Sequence, residues 1–176
     1  ARADVWVLNT CGFIAATRAD SLETLRELIA AKGRRRLVVT GCLAQMEGAR
    51  LAEAHPGIDV VAGVGNFDAV VAAVLGEDET VERGEAAARA RAAAGGRRVR
   101  MARTVVGDPG AASYEGMEGR PLLTPPHVAF VKLSEGCDGA CSFCRIPLIR
   151  GPQRSRDPDE IAAEAAELAA RGVTEI

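Results

Sequence analysis

The sequence predicts an α/β protein: a parallel sheet flanked by helices, followed by the opening strand, loop and helix of a β/α barrel. Three observations predict it. Apolar runs alternate with stretches of helical periodicity three times within residues 4–75. Two of those runs end in a cysteine, and a later apolar run, at 128–133, enters a loop holding three more cysteines. With 176 residues, 48% of them hydrophobic, the chain has enough apolar material to bury a core.

Residues 4–10 (Asp-Val-Trp-Val-Leu-Asn-Thr) read as a buried strand running into a loop at Cys11 and Gly12. From Ala15 to Ala31 the residues Leu22, Leu25, Leu28 and Ile29 recur at helical spacing, with Gly33 as the stop. Residues 37–42 repeat the opening pattern and end at Gly41-Cys42. A second helix is expected over 45–54, ended by His55-Pro56-Gly57. A third strand is expected at 59–63 and a third helix over 67–75, capped by Asn66 or Asp68. Between 76 and 126 the pattern dissolves into glycine, alanine, arginine and proline, which reads as a linker. Its arginines (Arg83, Arg89, Arg91, Arg97, Arg98, Arg100, Arg103) stand against Glu82 and Glu85, but no aromatics are interleaved to stack on bases. A solvated tether is therefore the reading preferred over a nucleic-acid contact.

Order is expected again in a strand at 128–133. Beyond the cysteine loop, Asp157 is a capping residue and Pro158 fits a first helical position, with Asp159 and Glu160 in the first turn. That helix is expected to run from Pro158 to about Arg171, with Gly172 ending it and a further strand starting at 173–176. Barrels of this type carry their chemistry at the carboxyl ends of the strands, and Cys137 lies at such an end.

A net charge of −2 gives no electrostatic argument for a nucleic-acid or membrane partner. No apolar run is long enough to cross a bilayer, and no charged-then-apolar leader opens the sequence, so a cytoplasmic setting is expected. Five cysteines, an odd number gathered in loops, argue against a disulfide framework and for a reducing compartment.

Cys137-Asp138-Gly139-Ala140-Cys141-Ser142-Phe143-Cys144 places three thiols on one short loop, with Gly136 and Gly139 free to bend around them. Thiolates are the soft ligands that iron-sulfur clusters require, and three of them on a 4Fe-4S cluster leave one iron open. The competing readings are a zinc site, for which His127 is the nearest further ligand, and inert buried thiols, which would not bunch in a polar loop. At the other end, Cys11 and Cys42 each follow an apolar strand, so both thiols can share one sheet edge. Taken alone, two such cysteines are more often core or reactive groups than ligands.

The spacing C-x-x-x-C-x-x-C with an aromatic before its last cysteine resembles the radical S-adenosylmethionine (SAM) superfamily signature. The flanking residues 131–137 (Val-Lys-Leu-Ser-Glu-Gly-Cys), Ile146-Pro147 and Arg150-Gly151 are similar to its methylthiotransferase branch. The resemblance implies a partial N-terminal methylthiotransferase α/β domain at 1–76 with its start missing, a linker at 77–126, and a truncated radical SAM partial TIM barrel, first unit only, at 127–176. It further implies that Cys137, Cys141 and Cys144 bind a cluster whose open iron chelates SAM, that reduction then yields a 5′-deoxyadenosyl radical, and that Phe143 lies beside the adenine. Cys11 and Cys42 would ligate a second 4Fe-4S cluster, with the family's third cysteine lying upstream of this sequence. Cys11-Gly12-Phe13-Ile14, with Ala16 and Ser21, resembles the enzymes that methylthiolate an aspartate β-carbon on a small-subunit ribosomal protein. The alternatives are a tRNA adenosine methylthiotransferase and, more remotely, a non-catalytic zinc-binding module. A flavodoxin or ferredoxin is the implied electron donor, no membrane is involved, and this stretch by itself is expected to be inactive. Of Arg145, Arg150, Arg154 and Arg156, one can fork to the carboxylate of SAM or of an acidic substrate, while solvation or structural hydrogen bonding is expected for most.

Overall fold

Residues 37–39 (Leu-Val-Val) are fully buried on alternate faces, and they form the middle of the second strand of a four-stranded parallel sheet. The computed structural model describes residues 3–77, 102–111 and 119–176. The chain divides into two compact units, Ala1–Ala111 and Ala112–Ile176.

In the first unit the strands are β1 (Val5–Thr10), β2 (Arg36–Gly41), β3 (Val60–Ala62) and β4 (Arg103–Val105), neighbours in that order. Each pairs in parallel with the next, with Val7 opposite Val38, Val38 opposite Val60 and Val60 opposite Arg103. The helices are α1 (Ala15–Ala31), α2 (Cys42–Ala54) and α3 (Phe67–Leu75). On one face Leu37, Val39 and Val61 pack with Leu25 of α1 and with Leu43, Ala44 and Leu51 of α2. On the other, Val38 and Val60 meet Ala73 of α3, with Val5 and Val70 at the margin. Helices on both faces are what a parallel sheet of uninterrupted apolar strands needs.

The expected α/β class and parallel sheet are present, with differences at three places. The second helix begins at Cys42 rather than at residue 45, because Gly41 takes a left-handed φ of 97° that ends β2 and turns the chain straight into the helix. Asn66 precedes α3 without a side-chain cap; its amide donates to the Val64 carbonyl instead (3.4 Å). The fourth strand, Arg103–Val105, comes from within the stretch read as a linker. The arginines from Arg83 to Arg100 lie outside the described residues.

In the second unit Ala129, Leu168 and Val173 form a small core, with Leu122 and Val131 against it. Its elements are β5 (Ser134–Glu135) antiparallel to β6 (Arg154–Ser155), a short α4 (Ile146–Arg150) and α5 (Pro158–Ala170). The Asp157 carboxylate accepts from the Asp159 amide (2.8 Å), so the expected start of α5 is present as a working cap. The expected strands at 128–133 and 173–176 reduce to one parallel bridge between Val128 and Glu175. Parallel strands are stable when neighbours flank them on both sides, and among the described residues this pair has none. No helix among the described residues is long and apolar enough to cross a membrane.

Candidate metal centre

The cysteine loop is held closed at its base. Cys137 donates its amide to the Gly151 carbonyl (3.1 Å), and the Asp138 carboxylate accepts from the Gln153 amide (2.9 Å). β5 and β6 complete this base, with Glu135 opposite Arg154. Gly136 has φ +78°, and a Cβ there would stand 2.6 Å from the Gly151 carbonyl oxygen and inside the shell of the Pro152 carbonyl. Only glycine admits so close an approach.

Inside that base, Gly139 makes room for sulfur. A Cβ on Gly139 would lie 3.3 Å from Cys137 Sγ and 3.8 Å from Cys141 Sγ, so the two thiols flank the space a side chain would fill. The Gly139 amide donates to Cys137 Sγ (3.3 Å). Cys144 follows through a turn in which its amide donates to the Cys141 carbonyl (3.0 Å). Cys141 is exposed, Cys137 and Cys144 are half-buried, and all three are free thiols. Among the described residues no three His, Cys, Asp or Glu side chains converge as a ready-made metal site. The donor set and the Gly139 space fit a sulfur-rich metal group, and closing the thiols on one centre requires the loop to tighten.

Phe143 lies at the tip of the loop with 87% of its surface exposed, not tucked against a barrel mouth. The side chain of His127 is exposed, while its backbone carbonyl accepts from the amides of Thr174 and Glu175.

At the carboxyl edge of the four-stranded sheet, Thr10 and Gly41 are the last register partners of β1 and β2, so Cys11 and Cys42 leave that edge side by side. Gly12 brings the Cys11 loop onto the start of α2, where a Cβ on it would stand 3.2 Å from the Leu43 Cα. Thr10 ties the two turns together: its hydroxyl donates to the Thr40 carbonyl (2.6 Å) and accepts from the Ala44 amide (3.4 Å). The Thr17 hydroxyl and the Phe13 amide hold the exposed Cys11 thiol below the ordinary thiol range. The sequence reading missed Gln45. Its buried side chain accepts from the Val64 amide (2.8 Å) and donates to the Gly107 carbonyl (3.0 Å), bridging the loops after β3 and β4 at this same edge. Its position one helical turn after Cys42 was the available signal.

The arginines after the loop separate by role. Arg156 is buried and ion-paired with the equally buried Glu164, while Arg150 reaches Glu135 at 3.2 Å. Arg145 is exposed. Lys132 also pairs with Glu135, and burial, followed by Arg150 and Arg154, pushes its ammonium below the usual lysine range.

The fold is thus an α/β protein with two thiols at the carboxyl edge of its parallel sheet and three more on a glycine-lined loop, a donor set of the kind soft metals accept. Residues 1–63 match the family model described as "Uncharacterized protein family UPF0004". The chain is 40% identical over 179 residues to the ribosomal protein uS12 methylthiotransferase RimO of Anaeromyxobacter sp. (strain Fw109-5), an alignment covering 100% of this chain and 33% of that protein. It is 38% identical over 176 residues to RimO of Clostridium tetani (99% and 35% covered) and 35% identical over 179 residues to RimO of Desulfosudis oleivorans (100% and 36% covered). Along its whole length the chain is thus similar to uS12 methylthiotransferases, and it spans about a third of the length of those curated relatives.

Proposed function

We propose that this chain serves a cytoplasmic radical SAM methylthiotransferase that adds a methylthio group to the β-carbon of an aspartate in ribosomal protein uS12. The observation that carries this reading is the similarity to uS12 methylthiotransferases over the full 176 residues; the Gly139 space between two thiols supports the metal assignment. Cys137, Cys141 and Cys144 are the residues that would hold one 4Fe-4S cluster, and Cys11 and Cys42 would contribute to a second. When bound, a cluster held by three thiolates supplies an open iron at which SAM can be chelated and reduced.

The chain's own residues do the rest of the work around it. Gly136 lets the backbone pass close to the Gly151 and Pro152 carbonyls on its way into Cys137. The Gly139 amide, bonded to Cys137 Sγ, offsets charge on that sulfur and thereby favours the reduced state of anything the sulfur ligates. Phe143, one residue before Cys144 and exposed, would lie against the adenine of SAM; its exposure supports that role. The Cys11 and Cys42 edge, drawn together by Thr10, is the sulfur-bearing side of the reaction. A flavodoxin- or ferredoxin-type donor is the partner such chemistry requires.

The test uses the natural full-length protein, reconstituted anaerobically with iron and sulfide. Mass spectrometry is expected to find the methylthio mass on uS12. Gain of that mass on tRNA adenosine instead would move the assignment to tRNA, and a colourless protein holding zinc without iron or sulfide would sink the reading.

A further inference from the structure

We propose that Glu135 is a positioning residue that fixes how Cys137 is presented to its ligand, by clasping the two ends of the cysteine loop. For the nature of that ligand the proposal rests on the reading above; the clasp itself is a property of the polypeptide. Glu135 sits two residues before Cys137, its side chain only 11% exposed. One carboxylate oxygen pairs with Lys132, on the segment entering the loop, and the other with Arg150 Nη1 (3.2 Å), the last residue of α4 and hence beyond Cys144. One acid therefore spans both sides of the three thiols. The neighbouring bonds at this level run through the backbone: Cys137 to Gly151, Gln153 to Asp138, and the pairing of Glu135 with Arg154 between β5 and β6. Backbone bonds set the spacing of the loop ends, but Gly136, at φ +78° and without a side chain, leaves the direction of the next residue weakly determined. A charged, mostly desolvated pair on the residue just before it removes that freedom. Lys132 and Arg150, 39% and 35% exposed, reach in from solvent, so the clasp can close as the loop tightens around a ligand.

In the metal-free, natural full-length protein, Glu135→Ala is expected to speed amide exchange across peptide 134–140 about tenfold, with the global melting transition unchanged. Arg150→Met should reproduce part of that loss, and Glu135→Asp, which keeps the charge, should recover part of the protection. After anaerobic reconstitution, the Glu135→Ala protein should also show an altered electron paramagnetic resonance signal from the reduced cluster. Unchanged exchange in Glu135→Ala with an unchanged melting transition overturns the proposal. If Glu135→Ala does not fold, Glu135→Gln, which keeps the shape and loses the charge, and Arg150→Met report the same exchange, and full protection in both overturns it. Iron content left undiminished by the triple replacement of Cys137, Cys141 and Cys144 by alanine sinks the metal reading of this loop instead, since only the iron of the Cys11 and Cys42 edge should remain, and the exchange data on the metal-free protein still decide the clasp.

Discussion

Gly41 and Gly136 occupy similar places: Gly41 ends β2 and Gly136 follows β5, and each takes a left-handed φ and hands the chain to a cysteine. At Gly41 a Cβ would stand 2.8 Å from the Thr10 amide nitrogen, and at Gly136 it would stand 2.6 Å from the Gly151 carbonyl oxygen. Replacing either by alanine is expected to destabilise its unit by roughly 2–4 kcal/mol, combining backbone strain with a clash against main chain that cannot step aside. Urea denaturation of the single variants checks this. The Cys11 thiol carries a pH dependence of its own. Hydrogen bonds from Thr17 and Phe13 favour its thiolate, so its contribution to stability is present above the ordinary thiol pKa of about 8.5 and is lost as pH falls through the lowered value. Alkylation of Cys11 in metal-free protein is expected to persist to lower pH than for a free thiol, with Thr17→Val moving the profile back upward; coincident profiles would refute it. The glycines beside the cysteines were legible in the sequence as points of bending. Which of them is indispensable was not, since that depends on groups of Asn9 and Thr10 beside Gly41 and of Gly151 and Pro152 beside Gly136, all distant along the chain.

At the scale of elements, α5 is joined to the segment before the cysteine loop through charge as well as apolar packing. Glu164, buried on its inner side, accepts from Arg156 and from Arg120 (3.2 Å). Arg156 in turn donates to the carbonyls of Lys132 (3.1 Å) and Leu133 (2.9 Å). Glu164→Ala takes the nearer, buried acid from the Arg156 guanidinium and leaves it the exposed Glu160 at 3.9 Å, and is expected to cost about 3–5 kcal/mol, seen as a lower melting temperature of the second unit. Leu25→Ala in α1, fully buried between that helix and the sheet, is expected to cost about 2–5 kcal/mol in the first unit. The helices were readable because their apolar spacing and end signals are local: Asp157-Pro158 announced α5, and α1 has the expected limits. β4 was not readable. Arg103, Thr104 and Val105 carry no strand pattern, and they become a strand because β3 offers them an unpaired edge. The opposite error occurred at 128–133, where a convincing apolar run finds only one bridging partner.

For the whole molecule, a net charge of −2 supplies no long-range field to steer a partner, so recognition must come from local surfaces. The chain covers about a third of the uS12 methylthiotransferases it resembles, and residues 1–176 alone are expected to show no methylthiolation of uS12 under reconstitution conditions that activate the natural full-length protein. Turnover by the short chain, followed by mass spectrometry, would contradict this. The sequence by itself determined the α/β class and the alternation that builds the parallel sheet, because periodicity and capping act over a few neighbouring positions. The shared sheet edge of Cys11 and Cys42 was already open to the sequence, but only the tertiary structure decided that Gln45 bridges the loops beside them and that Glu135 spans the cysteine loop. Those relations depend on strand register and on contacts between distant residues, which no local pattern encodes.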